Sequence, residues 1–474
     1  MYDDTIVALA TAAGAAGLAV VRISGPEALE IGARLFEGAD LTKSPSHRAH
    51  HGFLVDGERG ERIDEVLALV LRAPHSYTGE DTVEFSCHGS PQVVDEIVAV
   101  SLAAGARLAE AGEFTRRAFL SGKLDLCQAE AVADLIESQS RAARRAALEQ
   151  LRGRLSDRLR AARGDLVALL ADIEASIDFV EEGIEFFGRD EAGRRGASAA
   201  ARVDELLATA DDGMLLRSGI RVSVAGSPNV GKSRLFNRIL RSPRSIVTEH
   251  AGTTRDVVRE TVRLGGVVMV LEDTAGLRGA ARDPVEAIGI ERSRQSHAEA
   301  DIVLYVVDAT KALEDDESGM VRGLDAESTI VVVNKVDLLP EERRRSLVGG
   351  VEARREFAGE LGLAGHALPE CLAVSAATGE GVESLLDALL QTARVRRLAF
   401  QNDALVTINQ RHREALVRAR QALATFERDV RTDEPPEILA ADLRTAVAAF
   451  SEISGEQISE EILDSIFSRF CIGK

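Results

Sequence analysis

The feature that most limits how this chain can fold is a short glycine-containing segment near its middle. Residues 221–225 (RVSVA) are predicted to form a strand, and residues 226–233 (GSPNVGKS) follow without a break. The second segment fits the pattern G-x-x-x-x-G-K-S/T in its required setting, with a strand before it and a helix after it. Backbone N–H groups of such a loop and the positive end of the helix dipole bind phosphate, while Lys232 supplies a positive charge and Ser233 a hydroxyl for Mg²⁺. A glycine turn that only precedes a surface helix is the alternative, and this setting disfavours it.

Three later segments stand where strands of the same sheet are predicted to end. They are residues 273–276 (DTAG), 334–337 (NKVD) and 375–376 (SA). The carboxylate of DTAG can hold the Mg²⁺ shell, and its glycine lets a backbone N–H reach a terminal phosphate. The Asp337 carboxylate can accept two hydrogen bonds from guanine, whereas adenine would leave it unpaired, a mismatch of a kind that gives ~10⁴-fold discrimination. Together the segments predict a site for GTP.

The groups that would drive hydrolysis are less clear from the residues. Leu277 follows the DTAG segment, so a water-orienting glutamine is missing from that position. Hydrolysis then needs another orienting group and another positive charge. Asn229 is a candidate ligand for a monovalent cation through its side-chain carbonyl, and equally a turn former after Pro228. Glu286 can orient water, although the residues alone favour a solvated charge at the start of a helix.

The placement of proline separates helical from mixed regions. No proline stands between residues 92 and 227, and much of that span is rich in Ala, Leu, Arg and Glu, which favours long helices. Residues from about 400 to 474 are also predicted to be helical, with a break at Pro435 and Pro436. Two apolar sets recur at steps of three and four and predict two successive helices, the first with Leu148, Leu151, Leu155 and Leu159 and the second with Leu166, Leu169, Leu170, Ile173 and Ile177.

Short runs of β-forming residues predict two regions that contain sheets. Residues 219–393 alternate Val- and Ile-rich runs with helical segments, the pattern of a parallel sheet with crossover helices. Because helical sequence flanks this region on both sides, we expect an α/β domain inserted into a helical domain. Residues 1–123 indicate a compact α+β domain, with a helical stretch near 93–103 and β-type runs at 18–23, 65–71 and 82–87.

Composition narrows the class of protein. The 474 residues are enough for about three domains, and 45% hydrophobic with 28% charged residues is typical of a chain that buries a core. The net charge of −20 argues against a protein that coats nucleic acid through charge alone. Four scattered cysteines form no C-x-x-C pair, which disfavours a disulfide framework and a zinc cluster. Asp3 and Asp4 disfavour a signal peptide, so we expect a cytoplasmic protein outside the membrane.

Several separate blocks carry a resemblance that covers the full chain. Together with the order of the regions, they make the chain resemble the MnmE (TrmE) family of tRNA-modification GTPases. The resemblance implies a multidomain α/β chain: an N-terminal α+β domain (1–123) that binds tetrahydrofolate and dimerises, an all-α helical domain in two parts (124–216 and 394–474), and an inserted P-loop, Ras-like GTPase domain (217–393). The blocks are 21–25 (VRISG), 76–81 (SYTGED), 88–89 (HG), 111–115 (AGEFT), 123–126 (KLDL), 251–256 (AGTTRD) and 470–474 (FCIGK).

The resemblance also implies which residues act on GTP. Glu286 matches a water-orienting glutamate, so Glu286 and Lys232 are the expected catalytic residues, and Thr254 would join Ser233 on Mg²⁺. When two G domains pair, potassium would lie against Asn229, Thr248, His250 (by its backbone carbonyl) and Thr253. The implied GTP-binding set is Asn229, Val230, Gly231, Lys232, Ser233, Arg234, Thr248, Glu249, His250, Ala251, Gly252, Thr253, Thr254, Asp273, Thr274, Ala275, Gly276, Asn334, Lys335, Val336, Asp337, Ser375, Ala376 and Ala377.

A second implied site concerns folate. Arg22, Glu84 and Lys123 match folate-contacting positions, with Lys474 nearby, although the residues alone would make Arg22 and Lys123 solvated charges. A 5-formyl or 5,10-methylene tetrahydrofolate is expected to supply a one-carbon unit. The homodimer is expected to act in a heterotetramer with MnmG, an enzyme that uses FAD and NADH. Together they would install an aminomethyl or carboxymethylaminomethyl group at C5 of the tRNA wobble uridine (U34).

Other functions and two local features stay open. A ribosome-assembly GTPase that acts as a binding switch shares the asparagine in the loop and the leucine after DTAG, but no basic module follows residue 393. A folate-binding enzyme regulated by a G domain differs only in which domain holds the chemistry. Eight arginines lie between residues 141 and 163, and a solvated helix flank is the favoured interpretation over a contact with tRNA. For Cys471, a packed small hydrophobic residue is the favoured interpretation over a reactive thiol.

Overall fold

A computed structural model describes most of the chain and divides it into two compact units. The first unit comprises Met1–Glu137, Ala147–Ala208 and Ile408–Lys474, and the second comprises Ser138–Ala146 and Thr209–Thr407. The second unit is thus inserted into the first, while the boundaries of the four expected segments stay predictions. No helix of the described residues is long and apolar enough to cross a membrane. Those residues are 3–57, 59–178, 188–209, 219–248, 258–265, 267–273, 300–311, 325, 327–349, 359, 370–398 and 407–474.

The first unit begins with a sheet whose described strands number seven and follow the order β3-β4-β5-β6-β2-β1-β7. All neighbours are antiparallel except β1 and β7. Helices α1 and α2 bury their apolar side chains with the inward residues of β2, β5 and β6, so the predicted α+β region is confirmed. The elements are β1 Ile6–Leu9, β2 Ala16–Ser24, α1 Ala28–Leu35, β3 Phe36–Glu37, β4 Arg48–Val55, β5 Arg62–Leu71, β6 Thr82–Gly89, α2 Pro91–Ala103, β7 Arg107–Leu108 and α3 Glu113–Leu120.

Helices follow, and they correct the prediction about the two apolar sets. The first set does not share one helix, because Gly153 adopts a φ of 88° and separates two helices. Leu148 on the earlier helix is 38% exposed, whereas Leu155 and Leu159 on the later helix are buried. The second set lies on that same later helix, which is 25 residues long. The helices are α4 Leu126–Glu137, α5 Arg141–Leu151, α6 Arg154–Asp178 and α7 Arg189–Leu207.

The second unit contains the inserted α/β fold. Its described strands form a sheet in the order β14-β13-β12-β8-β11-β10-β9. The five strands from β14 to β11 are parallel, as predicted, but β10 and β9 run antiparallel to their neighbours. The elements are β8 Ile220–Ala225, α8 Lys232–Leu240, β9 Ser245–Thr248, β10 Val258–Leu264, β11 Val267–Asp273, β12 Ile302–Asp308, β13 Thr329–Asn334, α9 Glu341–Gly349, β14 Glu370–Ala373 and α10 Val382–Leu398.

The last strand of this sheet is shorter than expected. A strand over residues 371–376 is predicted, but β14 ends at Ala373. The Ser375 N–H instead donates to the Glu380 carbonyl at 2.8 Å, which folds the chain into a turn. Residues 375–377 therefore form a loop at the carboxyl end of the sheet, which is where the parallel strands of an open α/β sheet leave room for a ligand.

The chain re-enters the first unit through a helix with a buried cap. The Asn409 side chain accepts from the His412 N–H at 2.8 Å, and the Asn409 N–H donates to His412 Nδ1 at 3.3 Å. The fully buried His412 also lies 2.7 Å from the Glu130 carboxylate, which accepts two hydrogen bonds from Arg411 at 3.0 Å each. These partners outweigh burial and hold the pKa of Glu130 far below its usual value. The break at Pro435 and Pro436 is confirmed; the helices are α11 Gln410–Arg431, α12 Pro436–Ser454 and α13 Glu460–Phe467.

Exposure tests the two local features. Of the eight arginines between residues 141 and 163, all are exposed except the half-buried Arg163, as expected of a solvated flank. The prediction of a packed Cys471 is wrong, because this cysteine is exposed. Its neighbour Phe470 takes the packing position, with its ring centroid 5.6 Å from that of Phe467.

Candidate functional site

The phosphate-binding loop predicted from the sequence lies between β8 and α8. Gly226 follows the strand with a φ of 132°, and a Cβ atom there would lie 2.1 Å from the Val306 carbonyl oxygen. Only glycine fits such an approach between two backbone segments. Helix α8 begins at Lys232, so the N–H groups of its first turn lie beside the loop. The strand, loop and helix thus form the cradle that phosphate binding requires.

Lys232 and Asn229 give this loop its polar groups. The largely buried Lys232 donates from Nζ to the carbonyls of Gly226 and Ser227 at 2.7 Å each, which keeps its charge over the loop. Asn229 is exposed and has a φ of 65°. That conformation suits asparagine as a turn former, and the exposure of the side chain is compatible with a cation ligand, so both interpretations stand. Ser233 and Arg234 are exposed at the start of α8.

A buried amide joins the phosphate loop to the loop after β14. Asn334 Nδ2 donates to the Val230 carbonyl at 2.8 Å, and Asn334 Oδ1 accepts from the Ala376 N–H at 3.0 Å. The side chain is 2% exposed. Because both halves of the amide are satisfied, this contact fixes the distance between the two loops.

The predicted base-recognition residues meet at the same edge of the sheet. Asp337 accepts from the Ser375 hydroxyl at 2.6 Å, and Ser375 in turn accepts from the Thr378 N–H at 3.1 Å. Lys335, with a φ of 68°, pairs with Asp308 at 2.7 Å. Burial would raise the pKa of Asp308, but the hydrogen bonds from Lys335 and Thr310 outweigh it and lower that pKa. The buried Val336 anchors this turn beneath them.

The other predicted residues of the nucleotide site are only partly placed. Thr248 and Asp273 end β9 and β11. Asp273 pairs through its backbone with Val224 on β8, so the strand that leads into DTAG ends beside the one that leads into the phosphate loop. The remaining predicted positions lie outside the described residues: Glu249, His250, Ala251, Gly252, Thr253, Thr254, Thr274, Ala275, Gly276 and Glu286.

A second polar group lies in the first unit, around Arg22 on β2. Arg22 Nε donates to Glu84 at 2.7 Å, and the guanidinium carbon lies 5.4 Å from the ring centroids of both Tyr77 and Phe114. Its side chain is 13% exposed, so the view of a solvated charge drawn from the residues alone is wrong. Its Nη1 is buried and has no hydrogen-bond partner among the described residues. The aromatic pair was missed from the sequence, although both rings belong to blocks that carry the resemblance.

The C-terminal tail packs beside this group. At Gly473 a Cβ atom would lie 1.9 Å from the Leu9 carbonyl, and the Phe114 N–H donates to the Lys474 carbonyl at 3.2 Å. Burial, and then the positive charge of Arg22, lowers the pKa of Lys474. Lys123 is exposed and donates from Nζ to the Pro74 carbonyl at 2.9 Å, on the loop that also carries Tyr77. Arg22, Glu84 and Lys474 therefore lie close to one another. Lys123 instead binds the loop that carries Tyr77.

Comparisons with known proteins agree across the chain. A family profile described as the N-terminus of the GTP-binding protein TrmE matches residues 5–123, and one described as the MnmE helical domain matches residues 126–471. Proteins named tRNA modification GTPase MnmE are similar over their full length. The relative from Symbiobacterium thermophilum is 45% identical and that from Moorella thermoacetica 43%, each covering 100% of both chains. The relative from Christiangramia forsetii is 41% identical and covers 100% of this chain and 99% of its own.

The placement of Asp337 predicts a change of base preference. Asp337→Asn should weaken GDP binding by about 10²-fold or more, because the amide keeps one acceptor oxygen and replaces the other with an NH₂ group that faces a donor of guanine. The variant should gain affinity for xanthosine diphosphate, whose ring has a carbonyl acceptor where guanine has its amino group. Displacement of a fluorescent nucleotide measures both affinities. Asp387→Asn, the same change on an exposed helix residue, should bind GDP like the parent, and parental GDP affinity in Asp337→Asn would refute the placement.

Proposed function

The chain belongs to the MnmE (TrmE) family of tRNA modification GTPases and hydrolyses GTP, and from that premise we propose that it modifies the wobble uridine (U34) of tRNA. In this proposal a cytoplasmic homodimer works with the FAD- and NADH-using MnmG in a heterotetramer. The product carries an aminomethyl or carboxymethylaminomethyl group at C5. The observation that carries the proposal is the buried, incompletely paired Arg22 guanidinium beside two aromatic rings, which would be a second ligand site in a chain that also has a candidate nucleotide site.

The nucleotide half of the proposal draws on the contacts of the second unit. Lys232 would bind the β- and γ-phosphates, and the exposed Ser233 hydroxyl, with Thr254, fits a hard cation such as Mg²⁺. Bound Mg²⁺ would neutralise charge that develops on the phosphates. Asn229 offers an exposed carbonyl for potassium, which would supply the positive charge otherwise missing. Thr248, His250 and Thr253 complete that proposed set, and Glu286 would orient the attacking water.

The folate half of the proposal draws on the first unit. Arg22 Nη1 is a buried donor that lacks an acceptor among the described residues, and a polar group in that state costs about 1–3 kcal/mol. Carbonyl or carboxylate oxygens of a tetrahydrofolate would satisfy it. The half-buried Tyr77 would offer a ring face to a flat ligand, whereas Phe114 is fully buried and packs against Arg22. Burial and the charge of Arg22 lower the pKa of Lys474, so its ammonium group would release a proton more readily there. A 5-formyl or 5,10-methylene folate would supply the one-carbon unit there.

The ribosome-assembly alternative is not retained. The two profiles match residues 5–123 and 126–471, and the relatives are similar over the full chain. A switch that shared only the nucleotide-binding part would match only that part.

The tRNA assignment predicts a change in wobble uridines. Cells that lack this chain should contain tRNAs with unmodified U34, and the gene for the parent chain should restore the C5 group. Mass analysis of nucleosides from purified tRNAs measures it. Arg22→Ala should fail to restore the modification, whereas Arg34→Ala, an exposed arginine on α1, should succeed. Full modification in cells without the chain would reject the assignment.

The exposed asparagine of the phosphate loop predicts potassium dependence. Potassium should raise GTP turnover strongly, whereas sodium, with its shorter coordination distance, should not. Asn229→Gly tolerates the φ of 65° and removes the side-chain carbonyl, so it should lose the stimulation and keep GDP affinity. Phosphate release in potassium and in sodium chloride at equal ionic strength measures this. Equal turnover of the parent in the two salts would end the potassium proposal.

The Arg22 group predicts folate binding by the full chain. Calorimetric titration with a formyl-tetrahydrofolate should give a measurable affinity. Arg22→Ala should lower it by about 10-fold or more, as expected for hydrogen bonds to a charged group. A chain that ends at residue 469 should also bind less well, because it lacks the tail beside Arg22. Arg34→Ala should bind like the parent. Absence of heat with a folded parent chain would reject the site.

A further inference from the structure

Arg238 on α8 makes a contact that the nucleotide motifs do not account for. Its Nε donates to the Ala376 carbonyl at 3.3 Å, and its Nη2 donates to the Ala377 carbonyl at 2.5 Å. A Cβ atom at Gly379 would lie 3.6 Å from the guanidinium carbon, so the planar group lies against the turn that follows. The side chain is partly buried. One arginine therefore holds two successive carbonyls of the loop after β14.

These bonds complete a closed chain of contacts. Helix α8 begins at the phosphate loop and ends near Leu240. At its start, the Val230 carbonyl is bound by Asn334, whose Oδ1 accepts from the Ala376 N–H. Two turns later, Arg238 binds the carbonyls of the same loop. The loop is thus fixed on its N–H side by Asn334 and on its carbonyl side by Arg238.

One donor in this loop is left over. The Ser375 N–H donates to Glu380, the Ala376 N–H to Asn334, and the Thr378 N–H to the Ser375 hydroxyl. Ala377 is an exposed residue, and its N–H has no hydrogen-bond partner in the part of the chain that the structure describes. It lies two residues beyond Ser375, which holds Asp337. A donor there suits a ring carbonyl such as O6 of guanine and opposes the amino group of adenine.

We propose that Arg238 is a positioning residue for base recognition, which fixes the backbone of Ala376 and Ala377 so that the Ala377 N–H donates to the guanine carbonyl. This deepens the proposed nucleotide site and rests on it. A planar group with several fixed donors suits the task, because it binds two carbonyls in one orientation. Arg238 acts on the ground-state complex and has no part in the chemical step.

The test compares diphosphates of guanosine, inosine and adenosine on the full chain. Inosine keeps the ring carbonyl and lacks the amino group that Asp337 would bind. Arg238→Ala should weaken GDP and IDP by the same factor, about 3- to 10-fold for one hydrogen bond. Affinity for ADP should stay as it is. The KM for GTP should rise and kcat should not change, because uniform binding is lost. Arg238→Gln, whose amide can still donate to one carbonyl, should lose less.

Arg244→Ala is the matched control. Arg244 pairs with Glu383 at 3.0 Å and with Asp387 at 2.7 Å, both on α10 and outside the base loop. Its substitution therefore removes the same charge as Arg238→Ala and leaves the contacts of the base loop in place. It should bind all three diphosphates like the parent. Parental GDP affinity in Arg238→Ala, or a loss for GDP that exceeds the loss for IDP, would overturn the proposal. If Arg238→Ala binds GDP like the parent but Asp337→Asn binds GDP more weakly in the same assay, the base site is supported and only the role of Arg238 is rejected. If Arg238→Ala does not fold, the Gln variant carries the comparison.

Discussion

The side-chain amide of Asn334 is the interaction on which the nucleotide site depends. A buried amide must find partners for both its donor and its acceptor, since an unpaired polar group costs about 1–3 kcal/mol. Asn334 satisfies its two halves on different loops, at Val230 and at Ala376. The protein's own hydrogen bonds therefore hold the phosphate loop and the base loop at one separation. A site arranged in this way loses little conformational entropy on binding.

The need of a buried polar group for partners also applies to Arg22, but here it is only partly met. Its guanidinium is anchored on one side by Glu84, but Nη1 is buried without a partner among the described residues. The sheet, the aromatic rings and the C-terminal tail bury this donor. Their packing offsets the free-energy cost of leaving it without an acceptor. A ligand oxygen would recover it. The close approach of Gly473 to Leu9 explains why the tail lies beside Arg22 although it is remote in sequence.

Much of the fold and of the nucleotide site could be predicted, because the signals are local. The strand, glycine loop and helix around Lys232 are contiguous, and the β-type runs of residues 1–123 match β2, β5 and β6. Periodicity failed at Gly153, since spacing alone cannot register a glycine that ends a helix and begins the next. Arg22 and Arg238 could not be read correctly from the sequence. The burial of Arg22 depends on segments far along the chain, and the acceptors of Arg238 are backbone carbonyls, which every residue has.

Backbone strain then indicates how the loop can serve a cation. Asn229 and Lys335 both have a positive φ, which costs energy for a residue with a side chain. Lys335 is held by its ion pair with the buried Asp308, so its conformation is imposed by contact. Asn229 is exposed, and its conformation rests on the tolerance of asparagine for the left-handed region. The turn-forming and cation-binding interpretations therefore do not compete. The backbone role selects asparagine, and because the residue is exposed, its side-chain carbonyl would be accessible to a monovalent ion.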